Sequence, residues 1–340
     1  MIFVEEALLF PCAGELLPAI VARPQTPAAP QRAANGANQS ETVPSGQENG
    51  PHAPTAANGS QGSKQSNAAE QSGVRDQHGR CGVLVVVGGP QYRVGSHRQF
   101  LLLSRRLAGA GYPVMRFDHR GMGDAGGPMR SFEAIAPDVG AAIDAFQRAC
   151  PTVRRVVLWG LCDAASAALL YVQTCPDERV AGLTLLNPWV RSESSLAQTH
   201  IKHYYGQRLR QAEFWRKLLG GRMEVLKAIR GLWHSARLAR RCGEQDDRED
   251  SRRYQDRMAE GWRQFPGKLL LILSQQDYTA KEFLEFAASD PAWSGLLDDA
   301  RVRRVDLADA DHTFSSRRQR RQVEDAILAW LETLPAEGER

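Results

Sequence analysis

Short apolar runs alternate with longer amphipathic stretches over most of the chain. The runs Gly82 to Val87, Pro113 to Phe117, Arg155 to Trp159, Val180 to Leu186, Lys268 to Leu273 and Val302 to Leu307 have the length and β-branched or leucine-rich character of buried strands. Between and after them, Ser96 to Ala110, Ile135 to Cys150, Ala164 to Gln173, Thr279 to Ala288 and Arg317 to Leu334 carry apolar residues at helical spacing. Strands that alternate with helices in this way predict a mostly parallel, twisted sheet covered by helices on both faces. Ahead of the first strand, Phe3 to Val21 has the look of a hairpin.

Two intervals break the alternation. Residues 24–80 are rich in Ala, Asn, Gln, Ser, Gly and Pro, with almost no large apolar side chain, and are expected to be a disordered insert. Asn38 and Asn58 head N-x-S/T triplets there, which matter only in a secreted chain. Residues 190–266 separate two strands and are crowded with aromatic and cationic side chains, including His200, His203, Tyr204, Trp215, Trp233 and Trp262. An excursion of that length between strands is expected to fold as a helical lid over the strand carboxyl ends. The domain plan is therefore 1–23, N-terminal strands; 24–80, insert; 81–189, first part of the core; 190–266, lid; 267–335, second part of the core.

Composition narrows the function classes. The 340 residues, 42% hydrophobic, are enough for one large core. A formal charge of +4 is too small and dispersed to indicate a nucleic-acid partner. No apolar run approaches the roughly 20 residues of a membrane helix, so no membrane span is expected. Met1 to Phe10 carries Glu5 and Glu6 where a signal peptide would be basic, which predicts a cytoplasmic protein. The six cysteines, Cys12, Cys81, Cys150, Cys162, Cys175 and Cys242, form no CxxC pair, which disfavours a zinc cluster or a disulfide framework. His200 and His203 lack a third ligand at suitable spacing, so no metal is assigned.

One strand ends in chemistry. Arg155 to Trp159 runs into Gly160-Leu161-Cys162-Asp163-Ala164 and then an alanine-rich helical stretch. Small residues two before and two after Cys162 let strand and helix approach closely, as in a nucleophile elbow with Cys where Ser is more frequent. The following helix N-terminus would favour the thiolate. This elbow makes the expected sheet an α/β-hydrolase fold, in which the nucleophile is followed in chain order by an acid and a histidine on loops after late strands. Asp277 follows the strand Leu269 to Leu273, and His312 follows the strand ending at Leu307. Taken alone, Asp277 reads equally well as a helix cap and His312 as a surface histidine; together with Cys162 they read as a catalytic triad. His312 would move the proton, and Asp277 would fix its tautomer.

Oxyanion donors are expected from the backbone N–H of Asp163 and from the loop Gly88-Gly89-Pro90-Gln91-Tyr92-Arg93. Pro90 has no N–H, which leaves Gly89 or Gln91, with Gln91 preferred. Phe117 to Asp124 is read as an architectural chain reversal, with Asp124 an alternative acid. Gly121-Met122-Gly123 lacks the third glycine of a dinucleotide fingerprint, so no cofactor is assigned.

The segments Gly88 to Arg98, Trp159 to Ser166, Leu186-Asn187-Pro188-Trp189-Val190 and Asp309 to Phe314 together resemble the exosortase A system-associated hydrolases, type 1. The likeness spans Met1 to Leu334 apart from the insert. It implies a bacterial α/β-hydrolase linked to exopolysaccharide production, with Cys162, Asp277 and His312 as triad, as in the dienelactone hydrolases. It defines no substrate.

From His200 to Cys242 there are eleven Lys or Arg against Glu213 and Glu224. A basic lid would draw in an anionic small-molecule or carrier-bound acyl substrate; equally, it reads as a solvated helical face. The expected activity is cleavage of an ester or thioester through an acyl-cysteine intermediate. The alternatives are acyl transfer to a glycan hydroxyl and a non-catalytic scaffold of exopolysaccharide assembly.

Overall fold

The computed structural model describes residues 2–25, 81–89, 91–191 and 252–335. Most of the expected insert and lid, including Asn38, Asn58, His200, His203, Cys242 and the basic run, lies outside the described residues, as does Pro90 of the loop after the first core strand.

An eight-stranded sheet in the order β1-β2-β4-β3-β5-β6-β7-β8 forms the centre. β1 (Phe3–Cys12) and β2 (Glu15–Pro24) make the anticipated hairpin, longer by three residues. Its turn is Ala13-Gly14, both at positive φ (46° and 87°), the geometry a two-residue hairpin loop needs to match strand twist. β2 pairs antiparallel with β4 (Val114–Phe117), and from there every neighbour is parallel: β3 (Cys81–Val86), β5 (Arg155–Leu161), β6 (Val180–Leu186), β7 (Lys268–Ser274) and β8 (Val302–Leu307).

The central strands β3 and β6 are buried at every position because helices cover both faces. β8, at an edge, instead exposes Arg303, Arg304 and Asp306. Charge on an edge strand discourages pairing with another chain. One face carries α1 (Gln99–Gly109) and α6 (Arg317–Leu331) over a core of Val83, Val85, Trp159, Leu270 and Ile272. The other carries α2 (Ala136–Ala149), α3 (Asp163–Thr174), α4 (Tyr254–Gln264) and α5 (Tyr278–Ser289) over Leu84, Leu158, Leu183 and Leu271.

α4 shifts the boundary expected for the lid. Residues 190–266 were read as one excursion, yet Tyr254–Gln264 packs against α3, and Met258, Ala259 and Trp262 are fully buried. Gly261 lies so close to the Leu169 carbonyl that a Cβ there would collide with it. Trp262 donates to Leu296 O at 3.0 Å and packs edge-on against Trp293, with centroids 5.6 Å apart. Aromatic density, which suggested a cap, here marks a core helix.

The reversal after β4 is held by buried charge. Arg120 pairs with Asp138 of α2 through Nε to Oδ1 at 2.9 Å and Nη2 to Oδ2 at 2.8 Å, and its backbone N–H adds a third bond at 3.0 Å. Asp138 is fully buried, so its charge depends on this forked partner.

Candidate active site

β5 continues two residues past the expected end, through Gly160 and Leu161, and delivers Cys162 directly into α3. Cys162 has φ 63° and ψ −124°, a region costly for a side chain, and it lies in the close turn between strand and helix. A Cβ on Gly160 would lie 2.6 Å from Ala165 N, so position 160 must be glycine for α3 to approach. The Cys162 N–H donates to Leu186 O at 2.9 Å, and Trp189 N–H donates to Cys162 O at 3.3 Å, which ties the elbow to the end of β6.

The acid and histidine arrive on the two loops read from the sequence. His312 Nδ1 donates to Asp277 Oδ2 at 2.7 Å. Asp277 also caps α5, accepting from Thr279 N at 3.1 Å and Ala280 N at 3.3 Å. Helix cap and partner of His312 are thus one geometry for Asp277: the helix N–H groups fix the carboxylate that orients the imidazole. Hydrogen bonds from Asp277, then from Cys162, raise His312 from 6.5 to about 10, against its partial burial. Cys162, His312 and Asp277 are therefore brought together, with the imidazole between sulfur and carboxylate.

Asp124, the alternative acid, takes no part in this set. It is exposed and pairs with Arg93 at 2.7 Å.

The oxyanion side departs from expectation. The Asp163 N–H, first in α3, has no helical acceptor four residues back, but it leans on its own side-chain carboxylate. Gly89 N–H, however, already donates to the Asp163 carboxylate, Oδ2, at 2.7 Å. Gly89 is thus not a free donor in this arrangement, because the side chain of the elbow residue has taken its hydrogen. The Gln91 side chain accepts from Ser96 N at 3.3 Å, which closes the loop on itself.

Four residues that the sequence reading gave no role hold the site. Asn187, buried at positive φ (44°), donates to Ser274 Oγ at 3.0 Å and to His312 O at 3.3 Å, while its Oδ1 accepts from Ser274 N at 2.8 Å. Ser274 Oγ then donates to Asp311 O at 3.0 Å. These bonds join the ends of β6 and β7 to the histidine loop. On the other side, the buried Asp118 accepts from Arg93 N at 2.6 Å and from the Arg93 guanidinium, fastening the oxyanion loop to the β4 reversal. A polar Asn at a strand end, in Leu186-Asn187-Pro188-Trp189, was the available signal for the first pair.

Of the described cysteines, Cys12, Cys81 and Cys150 are buried, and all five, with Cys162 and Cys175, are free. Burial pushes the Cys81 and Cys150 thiols up to about 11. Among the described residues no cluster of three or more His, Cys, Asp or Glu is arranged for a metal, and no helix is long and apolar enough to cross a membrane.

A parallel sheet with one antiparallel edge, a strained nucleophile elbow after β5, and an acid and histidine on the loops after β7 and β8 define an α/β-hydrolase. Residues 81–256 match the family described as serine aminopeptidase, S33, and the chain belongs to that family. Among solved structures the fold is similar to an esterase of Pyrococcus furiosus, at TM-score 0.54 and 12% identity, covering 98% of this chain and 91% of that one. It is also similar to the acylaminoacyl peptidase of Pyrococcus horikoshii, at TM-score 0.53 and 14% identity, covering 100% of this chain and 43% of the peptidase. Identities this low show the shared fold alone. A comparison with curated proteins returned no match.

Proposed function

We propose that this hydrolase cleaves an ester or thioester through an acyl-cysteine intermediate on Cys162. The observation that carries the reading is the His312 to Asp277 hydrogen bond at 2.7 Å, on an imidazole that also bonds Cys162 at a strained elbow. In the acylation step Cys162, its proton already passed to His312, attacks the acyl carbon through sulfur, and the imidazolium delivers that proton to the departing alkoxide or thiolate. Water, deprotonated by His312, then attacks the acyl-sulfur carbon, releasing the acid and restoring the thiol. The Asp277 side chain orients and stabilises the imidazolium in both steps. On this reading the Asp163 N–H, at the N-terminus of α3, donates to the oxygen that gains charge.

Sulfur in the position that a serine occupies in the family's name favours soft acyl carbons, thioesters among them. The motif resemblance to exosortase A system-associated hydrolases supports a role in bacterial exopolysaccharide production. A charged or carrier-bound acyl substrate fits the basic composition from His200 to Cys242. The joint presence of all three triad residues in one hydrogen-bonded set speaks against a scaffold without activity.

Turnover of short-chain p-nitrophenyl esters and acyl thioesters by the wild type and by Cys162→Ala tests the reading. Activity in the first and at least a ~10³-fold loss in the second is the expected result. Equal turnover by both proteins overturns it. Recovery of acylated glycan in place of free acid would redirect the second step from water to a sugar hydroxyl.

A further inference from the structure

The side chain of Asp163 lies against the loop after β3, from which an oxyanion donor is expected. It stands in the first turn of α3, where an acidic residue ordinarily points outward toward the helix end, but its carboxyl is largely buried and turns back to the loop after β3. Oδ2 holds the Gly89 N–H at 2.7 Å. Oδ1 is buried without a hydrogen-bond partner among the described residues, and a Cβ on Gly88 would collide with it. Carboxyl and loop backbone are therefore in direct contact, beside the sulfur.

Acyl transfer puts negative charge on the substrate oxygen, and that oxygen needs the same kind of donor that Gly89 is giving away. An ionised carboxyl in this place withholds the donor and repels the charge. A neutral carboxyl is a much weaker acceptor and lacks the repulsion. Resting on the acyl-cysteine reading above, we propose that Asp163 is a charge-controlled latch on the oxyanion loop: ionised, its carboxylate holds the Gly89 N–H closed against the substrate; neutral, it yields that donor to the substrate oxygen.

The surroundings suit a carboxyl that changes charge in the working range. Burial pushes Asp163 above the usual carboxylate range, with the N–H groups of Gly89 first, then of Ala164 and Asp163 itself, and His119, pulling the other way. The charged or titratable groups that act on it are few. His119, from the β4 reversal, is buried, donates from Nδ1 to Arg120 O at 3.3 Å, and is held below its ordinary value by that burial. Above that value it is neutral and leaves Asp163 uncompensated. Asp118 and Asp138 act on His119 in turn, and both are engaged by arginines, Arg93 and Arg120. Cys162 adjoins Asp163 on the elbow itself.

Asp163→Asn keeps an acceptor for Gly89 while removing the charge, and Asp163→Ser removes both charge and reach. Single-turnover acylation of Cys162 by p-nitrophenyl acetate, followed from pH 5 to 9, is compared with alkylation by iodoacetamide. Alkylation reads the sulfur's reactivity without forming an oxyanion. The latch predicts that the variant-to-wild-type acylation ratio climbs with pH to about 10-fold or more, while the alkylation ratio stays within about 3-fold. A flat acylation ratio at or below one in both variants overturns the latch and leaves the acyl-cysteine reading intact. Equal rises in both ratios also overturn it, since the charge would then act on the sulfur. Absence of any Cys162 acyl adduct in all three proteins, with alkylation normal, overturns the acyl-cysteine reading and the latch together.

Discussion

The two halves of the site are built on opposite principles. On the acid–base side every polar group is braced from behind: α5 N–H groups hold Asp277, Asp277 holds His312, and Asn187 with Ser274 holds the backbone of the histidine loop. On the oxyanion side the loop is fastened at its far end, through Arg93 to Asp118, but its donor at Gly89 is spent on a side chain of the elbow. On the acyl-cysteine reading, the proton-transfer side chains are held ready by the fold, whereas the Gly89 donor becomes available only after a local exchange of partners, so that preorganisation, the main source of electrostatic catalysis, is complete in one half and conditional in the other.

Asp277→Asn breaks the braced half at its centre and carries the largest expected effect. It keeps the cap acceptor for α5 but removes the charge that orients the imidazole, so kcat should fall by about 10³- to 10⁴-fold with little change in fold. The same variant alters the pH dependence of stability. His312 is raised from 6.5 to about 10, so the folded protein keeps a proton that the unfolded chain has lost. The stabilisation it brings is complete below 6.5 and disappears as pH rises through about 10. Urea midpoints of the wild type should therefore decline over that interval, and those of Asp277→Asn should decline less.

Asp138→Asn, which leaves the buried Arg120 charge without its forked partner, should lower unfolding free energy by about 3–5 kcal/mol in chemical denaturation. Asn187→Ala leaves Ser274 N–H and Oγ short of a partner and releases the His312 carbonyl. A loss of about 1–3 kcal/mol is expected, with kcat falling more than KM rises, because the histidine loop and not the substrate pocket is loosened. Asp124→Asn is the control on the open half: its exposed pair with Arg93 should change stability by no more than about 1 kcal/mol and leave activity unaltered. A large loss there would reinstate Asp124 as a functional acid.

What was legible in the sequence follows the same division. β6 and β8 fall within their expected bounds, and the strand ends that carry Cys162, Asp277 and His312 were readable because apolar runs, chain order and residue type all bear on them. β5 ran two residues longer than expected because Gly160 and Leu161 still pair with β6 while looking like a loop in one dimension. α4 is not separable from a cap in one dimension, since a helix with one Trp among Arg and Gln has the same composition over a core as over a cleft; the contact with Leu169 and Trp293 separates them. The fate of the Gly89 N–H was not legible at all. Which donor a backbone offers depends on φ, ψ and a neighbour 74 positions away, and no local pattern encodes that.

The most direct test of the central claim is peptide mapping by mass spectrometry after brief exposure to p-nitrophenyl acetate at neutral pH. An acetyl group found on the peptide holding Cys162, absent from those holding Cys81 and Cys150 and discharged more slowly by His312→Ala, is the predicted result. Acetylation spread evenly over the cysteines, or confined to a residue other than Cys162, would contradict it.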